Sequence, residues 1–219
     1  MELCMKYTTY IFDFDFTLAD ATPGIVTCVN YALKQLEWEP KDRDTIRKTV
    51  GMTLRETFRA LTGSSDQEAA ERFVSFFTVM ADKVMTDNTS LFDDTAEVLK
   101  RLKRSNHGIA IVTSKLHYRI DEVLQKYKIS NLIDCIVGFE DVAAAKPSPE
   151  GLLKAIARLG AAKPSVLYIG DSLIDANTAA NASVDFAAVL TGTTTGREFL
   201  EWPHICIAEK LTELINCLL

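Results

Sequence analysis

The chain has 219 residues, 47% of them hydrophobic and 25% charged, with a formal net charge of −6. That is enough apolar material for a full buried core, as one large domain or as a core carrying a small inserted one. The acidic balance argues against a nucleic-acid or anionic-membrane surface as the main partner, and no apolar run approaches the roughly 20 residues a bilayer crossing needs.

The first ten residues, MELCMKYTTY, lack the long apolar run of a secretion signal, and the expected location is cytoplasmic. Residues 8–14 (TTYIFDF) form a short apolar, β-branched and aromatic run ending in acid. This is the pattern of a buried parallel strand that delivers polar groups at its C-terminal end. From about residue 20 to residue 90 no convincing strand is found, and helical spacing takes over. Ile25, Val29, Ala32, Leu33 and Leu36 recur over 24–36, and Leu54, Phe58 and Leu61 over 53–61. Ala70, Phe73, Val74, Phe77, Met80 and Val84 do so over 67–85. Strand-like runs then return at 108–113 (GIAIVT), 133–138 (IDCIVG), 166–170 (VLYIG) and 184–190 (VDFAAVL). Helical patterns separate them at 95–104 (Ala96, Leu99, Leu102) and at 149–159 (Leu152, Leu153, Ile156, Leu159). Such alternation predicts an α/β fold, a doubly wound Rossmann-like parallel sheet with helices on both faces. The core would use residues 1–19 and 91–219, with residues 20–90 inserted as a helical bundle. The polar, glycine-bounded stretch 191–196 (TGTTTG) reads as a turn rather than a site.

The five cysteines, Cys4, Cys28, Cys135, Cys206 and Cys217, form no CxxC pair and no zinc-like spacing with histidine. They read as small apolar residues in a reducing compartment. None of the histidines lies in a motif, and His107, before Gly108 at a helix end, reads as a favourable charge at the helix C-terminus.

In a doubly wound sheet, ligands bind beyond the carboxyl ends of the strands, and four separated features would converge there. These are Asp13-Phe14-Asp15-Phe16-Thr17, Thr113-Ser114-Lys115, Lys146-Pro147-Ser148-Pro149 and Gly170-Asp171-Ser172-Leu173-Ile174-Asp175. Each has a plain reading by itself, as a turn former or a helix cap. Together, in this order, an acid pair, a hydroxyl, a lysine and a second acid pair supply what phosphoryl transfer through a carboxylate and a divalent metal requires. With no His or Cys cluster, the metal ligands would be hard carboxylate oxygens.

The set resembles the motifs of the haloacid-dehalogenase-like hydrolases: DxDxT, a Ser/Thr, a Lys and GDxxxD. The helical block sits where that superfamily inserts its type 1 cap. VGMTLRETF, TSK, KPSPEGLLKAI and LYIGDSLIDANTAANA look like its phosphoglycolate-phosphatase-like branch. The resemblance implies a magnesium-dependent phosphomonoester hydrolase that works through an aspartyl phosphate on a small phosphorylated metabolite, with a phosphoglycolate-like substrate favoured. It makes Asp13 the nucleophile, Asp15 the general acid and then base, and Lys146 the counter-charge. Mg²⁺ would be held by Asp13, the backbone carbonyl of Asp15 and Asp171, with Asp175 in direct or indirect support. The Thr113 hydroxyl and the Ser114 N–H would bind phosphoryl oxygens, and Thr17 would brace the nucleophile loop. Lys115 and Arg55 are candidates for a substrate anion. Their plain readings are a solvated lysine at a helix start and a partner for Glu56 or Glu37. Phe16 departs from the pattern, because many members have glycine there. A benzyl side chain is expected to exclude a turn that needs positive φ. No nucleic-acid or membrane partner is implied, and the chain would be a monomer or homodimer.

Several competitors are narrowed by single residues. Asp15 speaks against a haloacid dehalogenase, whose halide leaving group needs no proton. Leu54, near the place of the Schiff-base lysine of phosphonoacetaldehyde hydrolase, speaks against that activity. A β-phosphoglucomutase-like phosphomutase shares the core residues and stays open, as do nucleotide and pyrophosphate phosphatases. From a different class, a phosphorylatable receiver domain would be much shorter. A non-catalytic phosphate-binding relative would have lost one of Asp13, Asp15, Lys146 and Asp171, and all are present.

Overall fold

The structure is a computed structural model that describes residues 6–218; Cys4 and the start of the N-terminal run read above lie outside them. β1 (Thr9–Phe12) leads to β2 (Ala19–Asp20), then α1 (Thr22–Gln35), α2 (Arg43–Arg47), α3 (Leu54–Thr62), α4 (Gln67–Val84) and β3 (Ser90–Leu91). There follow α5 (Thr95–Arg104), β4 (Gly108–Val112), α6 (His117–Lys126), β5 (Cys135–Val137), α7 (Glu150–Leu159) and β6 (Val166–Gly170). The chain ends with α8 (Leu173–Ala182), β7 (Asp185–Val189), α9 (Gly196–Phe199), β8 (Cys206–Ala208) and α10 (Leu211–Leu218).

Six strands form one parallel sheet in the order β5-β4-β1-β6-β7-β8. β1 is central: Tyr10 lies beside Ile109 on one side and Leu167 on the other, and Ile11 beside Ala110 and Tyr168. Alternation along the strands sends these two rows to opposite faces. Tyr10, Phe12, Ile111 and Ile169 join one buried cluster with α5, α6 and α10. Ile11, Val112, Tyr168 and Phe186 join another with α7, α8 and Phe199. Both faces are thus covered, which is why the strands read as continuous apolar runs. The chain order turns back across β1, so β1 and β6 flank a switch point at their C-terminal ends.

The chain divides into two compact units, one of residues up to Ala19 and from Leu91 on, the other Asp20–Ser90. The second has its own core, in which α1 contributes Ile25, Val29 and Leu33, α3 contributes Phe58 and Leu61, and α4 contributes Phe73 and Ala81. α3 begins in a capping box, with Thr53 accepting from the Glu56 N–H and Glu56 returning the bond to the Thr53 backbone. β2 and β3, at the two chain crossings, pair as a two-stranded ribbon.

Two expectations need correction. His107 is buried, and desolvation pushes its pKa down from the ordinary 6.5 although a hydrogen bond with the Thr8 backbone partly offsets this. It is a neutral core ring packed edge-on against Tyr10, at a centroid distance of 5.1 Å, rather than a surface charge. Among the cysteines, Cys28 is buried as expected of a small apolar residue, but Cys217 is exposed.

Candidate active site

Asp13 extends β1 by one residue, its N–H donating to the Ile169 carbonyl at 2.9 Å. The chain then turns sharply. The Phe14 carbonyl accepts from the N–H groups of Thr17, Leu18 and Ala19, and the Phe16 N–H donates to the Ala19 carbonyl at 2.7 Å. Phe16 sits in the left-handed region at φ 60°, against the expectation that a benzyl group would exclude it. The physical reason lies in magnitudes. Left-handed backbone costs roughly 1–2 kcal/mol for a non-glycine residue, whereas burying a phenylalanine side chain contributes roughly 1.5–3 kcal/mol. The Phe16 ring is 2% exposed. Both its backbone groups are bonded, since the Thr191 hydroxyl donates to the Phe16 carbonyl.

Lys146 reaches the end of β1 from the loop before α7. Its Nζ donates to Asp13 Oδ1 at 2.7 Å, to Asp175 Oδ1 at 2.8 Å and to the Tyr168 hydroxyl at 3.3 Å. Tyr168 donates in turn to Asp175 Oδ1 at 2.8 Å. Asp175 is also held by α8: Ser172 donates its hydroxyl to Asp175 Oδ2 at 2.6 Å and accepts the Asp175 N–H in a capping box. Gly170 is glycine because of space, since a Cβ there would lie 2.4 Å from the Asp175 Cβ. Asp171, next in the chain, accepts from the Thr17 hydroxyl at 3.3 Å.

One carboxylate oxygen from each of Asp13, Asp171 and Asp175 lies within 4.8 Å of the others, and all three residues are buried. Buried like charges raise each other's pKa. Desolvation, partly opposed by Lys146 and reinforced by Asp175 and Asp15, pushes Asp13 up to about 7. Desolvation, with Asp175 and Asp13, also holds Asp171 well above the carboxylate range. Burial alone would lower Lys146, but Asp13 and Asp175 outweigh it and raise its pKa well above the ordinary lysine value. Excess negative charge on hard oxygen donors is what a divalent cation neutralises, so the donor set fits one. Asp175 spends Oδ1 on Lys146 and Tyr168 and Oδ2 on Ser172, which suits it to orienting Lys146.

Asp15 points its Oδ2 at Lys115 Nζ, 2.7 Å away, and its Oδ1 is buried without a hydrogen-bond partner. Lys115 is therefore held on the acid, with its side chain 15% exposed, and is no solvated helix-start lysine. The Thr113 hydroxyl accepts from the Lys115 N–H at 3.1 Å, which leaves its own proton to donate. Thr113, Ser114, Lys146 and Ser148 share the wall of a small recess, otherwise lined by apolar residues such as Val112 and Phe139. Arg55 belongs to the helical unit, where α3 pairs it with Glu71 of α4 by two bonds of 2.5 and 2.9 Å.

The structure thus brings Asp13, Lys146, Asp171 and Asp175 together, with Thr17 on Asp171 and Lys115 on Asp15. It adds residues to which sequence patterns gave no role at the site: Tyr168, Ser172, Thr191 and Gly192. A tyrosine in a fully buried strand must find a polar partner for its hydroxyl, and that was the readable signal for Tyr168.

A family model described as haloacid dehalogenase-like hydrolase matches residues 10–189. A phosphoglycolate phosphatase of Colwellia psychrerythraea is 30% identical over 213 residues, 94% of each chain. The pyrophosphatase PpaX of Bacillus cereus is 27% identical over 215 residues, 98% of this chain and 97% of its own. A solved structure from Bacteroides fragilis, described as a haloacid dehalogenase-like hydrolase, superimposes with TM-score 0.93 at 44% identity, covering 95% of this chain and 100% of its own.

Proposed function

We propose, because this chain belongs to the haloacid dehalogenase-like hydrolase family, that Asp13 is the nucleophile of a magnesium-dependent phosphatase acting on a small phosphorylated metabolite. The observation that carries this reading is the buried Asp13–Lys146–Asp175 chain beside Asp171, at the end of β1.

In the first step a carboxylate oxygen of Asp13 attacks phosphorus as the bond to the leaving oxygen breaks, which gives an aspartyl phosphate and an alkoxide. Asp15 donates a proton to that alkoxide from the oxygen not committed to Lys115. In the second step Asp15 takes a proton from water, the water oxygen attacks phosphorus, and the Asp13 carboxylate is restored with release of inorganic phosphate. Lys146 offsets the repulsion between Asp13 and the incoming phosphoryl oxygens. Thr113 and the Ser114 N–H hold two of those oxygens. Asp13, Asp171 and the Asp15 carbonyl would hold Mg²⁺, with Asp175 in support through Lys146. When bound, the cation supplies Lewis-acid neutralisation of phosphoryl charge.

A phosphoglycolate-like substrate is the favoured reading, and the 30% identical relative supports it. A pyrophosphatase is the second reading, supported by the relatives named for that activity. The two differ in what leaves. An alcohol needs a proton, whereas phosphate leaves without one. The test is a panel of phosphoglycolate, hexose phosphates, nucleotides and pyrophosphate, run on chelated protein with and without added Mg²⁺. Turnover restored by Mg²⁺, with phosphoglycolate foremost, is expected. Asp15→Asn should then slow formation of the aspartyl phosphate in a single turnover about 10²-fold or more with phosphoglycolate and far less with pyrophosphate, while hydrolysis of the intermediate slows equally for both. Full turnover in chelated protein, or none on any phosphate compound, contradicts the proposal.

A further inference from the structure

The segment after β7, read from sequence as a plain turn, touches the site at two points. A Cβ at Gly192 would lie 1.9 Å from Asp171 Oδ2, 2.8 Å from its Cγ and 3.0 Å from its Cβ. The backbone at 192 is therefore seated directly against the Asp171 carboxylate. The requirement for glycine there is one of space, because Gly192 is not among the residues with positive φ. One residue earlier, the Thr191 hydroxyl donates to the carbonyl of Phe16, the left-handed residue of the nucleophile loop. The segment is itself anchored to the sheet, since the Leu190 N–H donates to the Ala208 carbonyl of β8 at 2.9 Å. On its other side Asp171 accepts from Thr17, a residue of the same nucleophile loop.

We propose that Thr191 and Gly192 are positioning residues of the metal site. Thr191 ties the strained turn that carries the Asp15 carbonyl to the end of β7. Gly192 lets the backbone close on Asp171 and so sets the direction of its carboxylate. Without a hydroxyl at 191, the turn loses the donor that holds its carbonyl. With a methyl group at 192, the Asp171 carboxylate must rotate out of place. Both act through groups that the proposed function assigns to the ion. The proposal rests on the reading of Asp171 as a metal ligand.

The test is calorimetric titration of Mg²⁺ into the metal-free full chain, alongside its thermal unfolding. Thr191→Val and Gly192→Ala should unfold near the wild-type temperature yet bind Mg²⁺ about 10-fold or more weakly, as loss of outer supports does at metal sites. Thr191→Ser keeps the hydroxyl and should bind as the wild type does. Should Gly192→Ala fail to fold, the two Thr191 variants decide alone. Wild-type Mg²⁺ affinity in a folded form of either disrupting variant overturns the proposal, as does failure of Thr191→Ser to restore it. A wild-type chain that binds no Mg²⁺ would overturn the metal reading of Asp171 itself, a separate failure.

Discussion

At Phe16, left-handed backbone and deep burial pull in opposite directions, and a substitution pair separates them. Phe16→Ala keeps the strained φ and gives up the buried ring, so it should destabilise by about 3 kcal/mol or more. Phe16→Gly gives up the same ring but relieves the strain, and should destabilise about 1 kcal/mol less than Phe16→Ala. At ordinary positions glycine is the worse of the two. Denaturant unfolding of both variants checks the order, and an alanine variant as stable as the glycine one would contradict the left-handed turn. His107 makes a second prediction. Its folded pKa lies below the 6.5 of the unfolded chain, so the unfolded state binds the extra proton more readily. Stability should therefore fall as pH drops through about 6.5 towards the lowered value, and the loss should level off below it. His107→Phe should flatten that part of the pH–stability curve, whatever its stability at neutral pH. An unchanged slope would mean that the ring is protonated in the fold. The acids and lysine of the site were legible because their chemistry is rare at strand ends. Tyr168 carries a weaker signal, the need of a buried hydroxyl for a partner, and inside VLYIG the apolar run masks it.

Helices and strands were legible where one face is apolar and large. α5 and α7 carry leucines at helical spacing, and β1, β4 and β6 are buried on both faces. α8 was not, because its buried side is Ala176, Ala179 and Ala182, too small to register as a stripe. β8 is three residues long and only partly buried, and it follows a proline-containing loop, so it lacks a strand's usual length. α8 earns its place through its first turn, where Ser172 caps the helix and holds Asp175 Oδ2 at 2.6 Å. Ser172→Ala should lower stability by about 1 kcal/mol and slow turnover by loosening the partner of Lys146. Ser172→Thr, which keeps the hydroxyl, should recover both. A Ser172→Ala protein with unchanged melting and turnover would show that Lys146 and Tyr168 suffice to hold Asp175. The 191–196 stretch shows the limit of turn signals, since glycine marks a turn equally well whether its cause is conformation or, as at Gly192, the close approach of a carboxylate.

On the scale of the whole chain, one parallel sheet gathers residues from positions 13 to 175 because each motif ends a strand or opens the helix after it. The order of strands sets which ends meet, and no local pattern states that order. The helical unit has its own aromatic core of Phe58 and Phe73, with ring centroids 5.4 Å apart. What the sheet assembles is a carboxylate at the end of β1, gripped by a lysine from more than a hundred residues away. We infer that this carboxylate takes the phosphoryl group. The most direct measurement is acid quenching during turnover of a phosphomonoester with Mg²⁺, followed by reduction of the acyl phosphate with borohydride and peptide mass analysis. An adduct is expected on the peptide containing Asp13, converted by reduction to homoserine at that position and absent from Asp13→Asn, which should also be inactive. An adduct on another residue, or sustained turnover by Asp13→Asn, would contradict it.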